Sequence, residues 1–298
     1  MQAATKTIEL SAPPATVPLF AKAALGALPG PRRSRQLPDT VLVLPEQVVD
    51  RHHLAAYARV CGFPLSDRLP VTYPHVLSFG LALQLMTGRD FPFPLLGLVQ
   101  IGNRITARRL IHADERLTLQ VHALNLRPHN RGSQFTVMTQ VTVDGAPVLS
   151  EESTYLHRRG SRDKPSDPGH GAVPPPPELT AMWQLAGDVG RRYAAVSGDY
   201  NPIHLHRLAA RALGFRQAIA QGMYTKARCL AAVDARLPEA YTVDVRLGRA
   251  ALLPSTVHVS ITEARGGWNA AVHNPDGRPH LTGTISTHPG SMVEHDPA

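Results

Sequence analysis

The sequence predicts an α+β fold built from two similar domains and a spacer. Three observations carry that expectation. The stretch Arg158-Arg-Gly-Ser-Arg-Asp-Lys-Pro-Ser-Asp-Pro-Gly-His-Gly-Ala-Val-Pro-Pro-Pro-Pro177 is dominated by Pro, Gly, Ser and charge, and its closing prolines favour a stiff, extended connection. The flanking halves repeat one another. Tyr57-Ala-Arg-Val-Cys-Gly62-Phe63 parallels Tyr193-Ala-Ala-Val-Ser-Gly198-Asp199, and Val143-Asp-Gly-Ala-Pro-Val-Leu149 parallels Pro275-Asp-Gly-Arg-Pro-His-Leu281. Each half also places helical pattern first and alternating apolar residues with Asp-Gly turns last. The expected division is 1–157, a spacer at 158–177, and 178–298.

The elements follow in order. In the first half, Val76–Met86 is apolar on every side, which marks a buried helix, and Arg116–Leu124 and Gln134–Val143 alternate as strands. His129-Asn-Arg131-Gly132 reads as a turn between strands. In the second half, Asp188–Ser197 reads as a helix. A short helix over His206–Leu213 is ended by Gly214, and a long central helix over Met223–Leu237 is ended by Pro238. Strands are expected at Tyr241–Leu247, Thr256–Thr262, Trp268–His273 and Pro279–Ser286.

Composition narrows the function. The chain has 298 residues, is 43% hydrophobic and carries a net charge of +8, almost all of its basic residues being arginine. That balance suits a globular protein meeting phosphate-bearing ligands, because arginine binds phosphate through a bidentate fork. Aromatic residues are only 5%, and there is neither a Lys/Arg run nor zinc-finger spacing, so nucleic acid is not the expected partner. Cys61 and Cys229 lie in apolar contexts far apart, which fits a reducing compartment. The apolar stretch Val17–Leu28 is interrupted by Lys22 and followed by Pro-Gly-Pro-Arg-Arg, the wrong polarity for a signal peptide. No run is long enough to span a bilayer. A cytoplasmic protein without a membrane partner is expected. His52, His53 and His273 show no ligand spacing, and no metal is expected.

The chemistry concentrates in Ser197-Gly-Asp199-Tyr-Asn201-Pro-Ile-His204, which gathers a carboxylate, an amide and an imidazole on a bent connection. Pro202 forces Asn201 out of helical space, and Asp and Asn are themselves turn formers. Gly222 follows in Gly214-Phe-Arg-Gln-Ala-Ile-Ala-Gln-Gly222-Met223, just before the expected central helix. Arg216, Lys226 and Arg228 flank the motif and read as solvated helix charges, with phosphate contacts as the alternative.

On these residues the chain resembles the MaoC-like (R)-specific enoyl-thioester hydratases, or hydratase 2. In length and layout it is similar to the two-domain 3-hydroxyacyl-thioester dehydratases of mycobacterial type. The resemblance implies a double hot-dog fold, each domain a long central helix wrapped by an antiparallel sheet. It implies a hydro-lyase of fatty-acid metabolism that adds water reversibly to trans-2-enoyl thioesters. Asp199 and His204 match the family's catalytic pair, and Gly222 its oxyanion contact. Asn201 would fix the water or the Asp199 carboxylate. No cofactor is implied, since coenzyme A or acyl carrier protein is part of the substrate. Gln221 departs from the family, where a histidine commonly precedes the Gly.

The first half lacks the motif: Phe63 stands in place of the Asp. It reads as a copy that has lost its reactive groups and kept its core. In two-domain relatives such a half makes room for acyl tails, which assigns an acyl pocket to some of Val76, Leu77, Phe79, Gly80 and Leu83; the alternative is that these residues fill a solid core. The two halves are expected to form an intrachain pseudo-dimer, with a homodimer left open. Two further readings are a hot-dog acyl-thioesterase, which the Asn-Pro-x-His continuation opposes, and a non-catalytic acyl-thioester-binding subunit, which the intact Asp199/His204 pair opposes.

Overall fold

In the computed structural model, residues 5–25, 34–158 and 178–287 are described. The first unit contains β1 (Lys6–Glu9), α1 (Thr16–Leu25), β2 (Thr40–Gln47), α2 (Arg51–Cys61), α3 (Tyr73–Met86), β3 (Leu98–Ala107), β4 (Leu117–His129), β5 (Gly132–Val143) and β6 (Ala146–Arg158). The second contains β7 (Ala181–Leu185), α4 (Val189–Ser197), α5 (Pro202–Leu205), α6 (Arg207–Ala212), α7 (Gly222–Ala231), β8 (Tyr241–Leu247), β9 (Ser255–Ala264), β10 (Gly267–His273) and β11 (Pro279–Ser286). The expected spacer lies outside the described residues except for Arg158.

Local sequence accounts for the elements. Asp50 caps α2 by accepting from the His52 and His53 amides at 2.8 and 3.2 Å, supplying acceptors that the helix start lacks. α3 carries apolar residues all round, interrupted by His75, Ser78 and Gln84, and is buried from Tyr73 to Met86 almost throughout. Asp144 and Gly145 both take positive φ, 49° and 78°, the geometry of a tight hairpin between β5 and β6. The Asp-Gly of the second half lies in a longer connection between β10 and β11, where only Gly277 takes positive φ, 81°.

The strands form one sheet of 11, in the order β1-β2-β4-β5-β6-β3-β8-β11-β10-β9-β7. Numbered within its own unit from β2 or β7, each half has the spatial order 1-3-4-5-2, and the two halves meet at their second strands. At that seam β3 and β8 pair antiparallel from Gly102↔Arg246 to Ala107↔Tyr241. α2 packs on α4, and their matching tyrosines, Tyr57 and Tyr193, bring ring centroids within 6.3 Å. The duplication in the sequence is thus a pseudo-two-fold in space, and the chain is a double hot-dog.

Two expectations are corrected. The central helix of the second half does not run to Leu237. Val233 leaves helical space (φ −122°, ψ 6°) and buries its side chain, and a 3-10 turn over Asp234–Arg236 leads on to Pro238. The bent connection also contains a helical turn: Asn201 and Pro202 start α5, so His204 sits on a short helix.

Candidate active site

α4 ends at Gly198, whose φ of 73° is the left-handed cap that turns the chain toward Asp199. The Asp199 amide donates to Ser197 Oγ at 3.2 Å, and the Asn201 amide donates to Asp199 Oδ1 at 3.2 Å. Asn201 fixes the carboxylate through its backbone. Its side-chain oxygen instead accepts from the Ile203 amide at 3.5 Å, capping α5. His204, in the first turn of α5, is buried. Its Nδ1 lies 2.8 Å from the Ile219 carbonyl oxygen. A carbonyl only accepts, so Nδ1 carries a proton, and in the neutral ring Nε2 presents a lone pair. Nε2 is 3.5 Å from Asp199 Oδ2, and the Asp199 side chain is 22% exposed. Two acceptors at that separation, one reachable from solvent, can share the two protons of a single water.

The opposite wall is the segment leading into α7. The Ile219 amide donates to the Ile203 carbonyl at 3.0 Å, and the Ala220 amide to Ala251 at 2.9 Å. Gln221, fully buried, donates from Nε2 to the Gly190 carbonyl at 3.1 Å and toward the Asp199 carbonyl at 3.5 Å. Gln221 thus ties the Asp199 turn to α4. Gly190 has no room for a side chain, because a Cβ there would overlap the His204 carbonyl. Gly222 opens the ten-residue α7, where its N–H has no intrahelical acceptor and the helix dipole is positive. A Cβ at Gly222 would lie 2.5 Å from Leu247 Cδ1, so any larger residue there would have to displace the Leu247 side chain of β8.

Comparison with known proteins places this geometry. Residues 176–264 match the model of the MaoC-like domain. Over 269 residues the chain is 38% identical to 3-hydroxyacyl-thioester dehydratase X of Mycobacterium tuberculosis, covering 89% of this chain and 95% of that protein. The chain belongs to the MaoC-like dehydratases. A crystal structure of HtdX from M. tuberculosis superposes with a TM-score of 0.74 at 36% identity, covering 82% of this chain and 98% of that one. A MaoC-like dehydratase from Phytophthora capsici, at 16% identity and TM-score 0.66, shares the fold over 85% of this chain and 96% of its own. So does an acyl-ACP thioesterase from Bacteroides thetaiotaomicron, at 10% identity and TM-score 0.54, over 83% and 97%. The fold alone therefore does not choose the chemistry; the site does.

Unlike its MaoC-like partner unit, the first half has Phe63 at the Asp position, buried and stacked on Tyr57 at 6.4 Å. It nevertheless holds a buried polar cluster that the sequence reading did not anticipate. His75, on α3, places Nδ1 2.6 Å from Glu151 Oε1. Asn103 and Ser153 donate to the same oxygen at 2.6 and 2.9 Å. Burial opposes the Glu151 charge, but His75, Lys226 and Ser153 together bring its pKa below the usual carboxylate value. The spacing of His75 and Glu151 along the chain hid this cluster. Lys226 is likewise not a solvated helix charge but wholly buried, while Arg228 stacks over Trp183 at 4.3 Å and Arg216 is exposed.

The residues assigned to an acyl pocket all lie on α3. Val76, Phe79, Gly80 and Leu83 are buried in the core, and Leu77 is half-buried against it. Gly80 receives the backbone of Pro14: a Cβ would stand 2.6 Å from the Pro14 carbonyl oxygen. Among the described residues no three His, Cys, Asp or Glu side chains gather as metal ligands, and no helix is long and apolar enough to cross a membrane.

Proposed function

We propose that this MaoC-like dehydratase reversibly hydrates trans-2-enoyl thioesters of coenzyme A or acyl carrier protein to (R)-3-hydroxyacyl thioesters, as a step in fatty-acid metabolism. The observation that carries the reading is the Nε2 lone pair of His204 facing Asp199 Oδ2 at 3.5 Å, beside the free amide end of α7.

The steps follow from charge flow. A water held between the two acceptors loses a proton to the pair as its oxygen bonds to the β-carbon. The displaced electron pair moves through the α,β-bond onto the thioester oxygen, where the Gly222 N–H and the positive helix end stabilise it. The enolate then reforms the carbonyl as the α-carbon takes a proton back from the pair. Water has been added across the double bond and the pair is restored. Dehydration runs the same steps in reverse. The acyl tail is assigned to the face of α3 that packs on α4, the helix leading into Asp199. Buried Cys61 and Cys229 fit the cytoplasm as the compartment.

The test is hydration of crotonyl-CoA, followed as loss of the enoyl absorbance with a thiol reagent present. Loss of absorbance without thiol release supports the reading. Release of free thiol, or no turnover, would overturn it.

A further inference from the structure

Lys226 lies one helical turn beyond Gly222 on α7, on the same side of the helix. Its Nζ is fully buried and lies within hydrogen-bonding distance of three acceptors. It donates to Val243 O on β8 at 3.2 Å, to Asn103 O on β3 at 3.2 Å, and to Asn103 Oδ1. Val243 and Asn103 belong to the two strands that join the halves, so this one side chain clamps α7 onto the seam. The other point of fixation is steric. Leu247 of β8 occupies the space beside Gly222. Together they determine how deep α7 sits and how it is rotated.

The clamp reaches further into the first unit. Asn103 Nδ2 is held by Glu151 Oε1 and by Ser153 Oγ, the latter at 3.0 Å, and Glu151 is held in turn by His75 of α3. A continuous polar chain therefore runs from the central helix of one half to that of the other, inside the core. Burying such charges is costly, and an apolar side chain of similar volume often serves stability as well or better. Stability alone therefore gives no reason for an ammonium at this depth.

We propose that Lys226 is a positioning residue for the dehydratase reaction: by bridging β3 and β8 it holds the first turn of α7, and with it the Gly222 N–H, at the place where the thioester oxygen gains charge. The unit without the motif thereby becomes part of the catalytic geometry. This inference rests on the function proposed above. It assigns Lys226 no contact with the substrate.

The test pairs kinetics with a readout that needs no substrate. In Lys226→Met the methionine fills the stem's space and makes no hydrogen bonds. It should leave the melting transition cooperative, lower kcat on crotonyl-CoA by about tenfold to a hundredfold, and move KM by less than about threefold. Amide hydrogen exchange should quicken over residues 225–228, the first hydrogen-bonded amides of α7, and stay unchanged in β4 and β5. Lys226→Gln, which keeps an N–H donor, should recover part of kcat and remains usable if the methionine variant does not fold. Wild-type kcat in Lys226→Met overturns the proposal. So does a fall in kcat matched by global loss of protection, or unchanged exchange at the start of α7. If the native enzyme hydrates no enoyl thioester, the functional reading fails by itself, and the exchange pattern still decides whether Lys226 positions the helix.

Discussion

At the scale of single residues, the site depends on hydrogen bonds that leave two acceptors pointing at one place. The Ile219 carbonyl accepts the hydrogen bond from His204 Nδ1, and the Asn201 amide donates to one oxygen of Asp199, leaving Nε2 and Oδ2 to act together. Asp199→Asn and His204→Ala should each lower kcat by about 10²–10⁴-fold with little change in melting temperature. Because the two groups act on one water, the double variant should be no slower than the worse single variant, and steady-state rates on crotonyl-CoA will show whether the effects are non-additive. Lys226 gives a second residue-scale prediction. Burial lowers its pKa from 10.5 to about 7, against the pull of Glu151 and Asp244. Between these values the unfolded chain binds more protons than the folded one, so the folded state gains stability as pH rises through the window and loses it as pH falls toward 7. Native protein should therefore gain up to about 1.4 kcal/mol per pH unit relative to Lys226→Met between pH 7 and 9. Denaturant melts at several pH values measure this, and parallel pH profiles for the two proteins would contradict it.

At the scale of elements, α7 is held by what glycine leaves out. Gly222→Ala places a methyl against Leu247 and should cost about 1–3 kcal/mol by overpacking. Leu247→Ala, which opens that space, should restore most of the lost stability in the double variant. If thermal melts show additive losses instead, the packing explanation of Gly222 is wrong. The same reasoning changes how an acyl path along α3 can be tested. Gly80→Leu would collide with the Pro14 backbone, and its effect would report folding rather than chain length. Leu77 is half-buried and offers a cleaner probe: Leu77→Phe should reduce activity on long enoyl thioesters and spare the four-carbon one. Equal losses on both substrates would place the acyl chain elsewhere.

At the scale of the whole molecule, the two halves share one sheet. The β3–β8 seam is a row of backbone hydrogen bonds, and separating the halves leaves two unpaired strand edges. Residues 1–165 and 175–298 expressed apart should aggregate or stay unfolded, and should recover solubility and activity when produced together. A soluble, fully active second half on its own would count against this dependence.

The sequence by itself determined the duplication, the α+β class, the turns at Asp144-Gly145 and Asp276-Gly277, and the grouping of Asp199, His204 and Gly222. These are legible because they rest on short-range chemistry: φ preferences, alternation, and functional groups within a few residues of one another. β7 was not legible, because a five-residue edge strand half open to water has little pattern to show. The tertiary structure alone decided which His204 nitrogen is free, since Ile219 is brought to it by folding. It alone decided that the Asn201 side chain caps a helix, and that Gln221 reaches Gly190. It also decided that Lys226 is buried. The physical reason is the same in each case. A side chain's charge, tautomer and exposure are set by partners that folding delivers: Asn103 stands more than a hundred residues from Lys226 in the chain, yet within hydrogen-bonding distance of it in the fold.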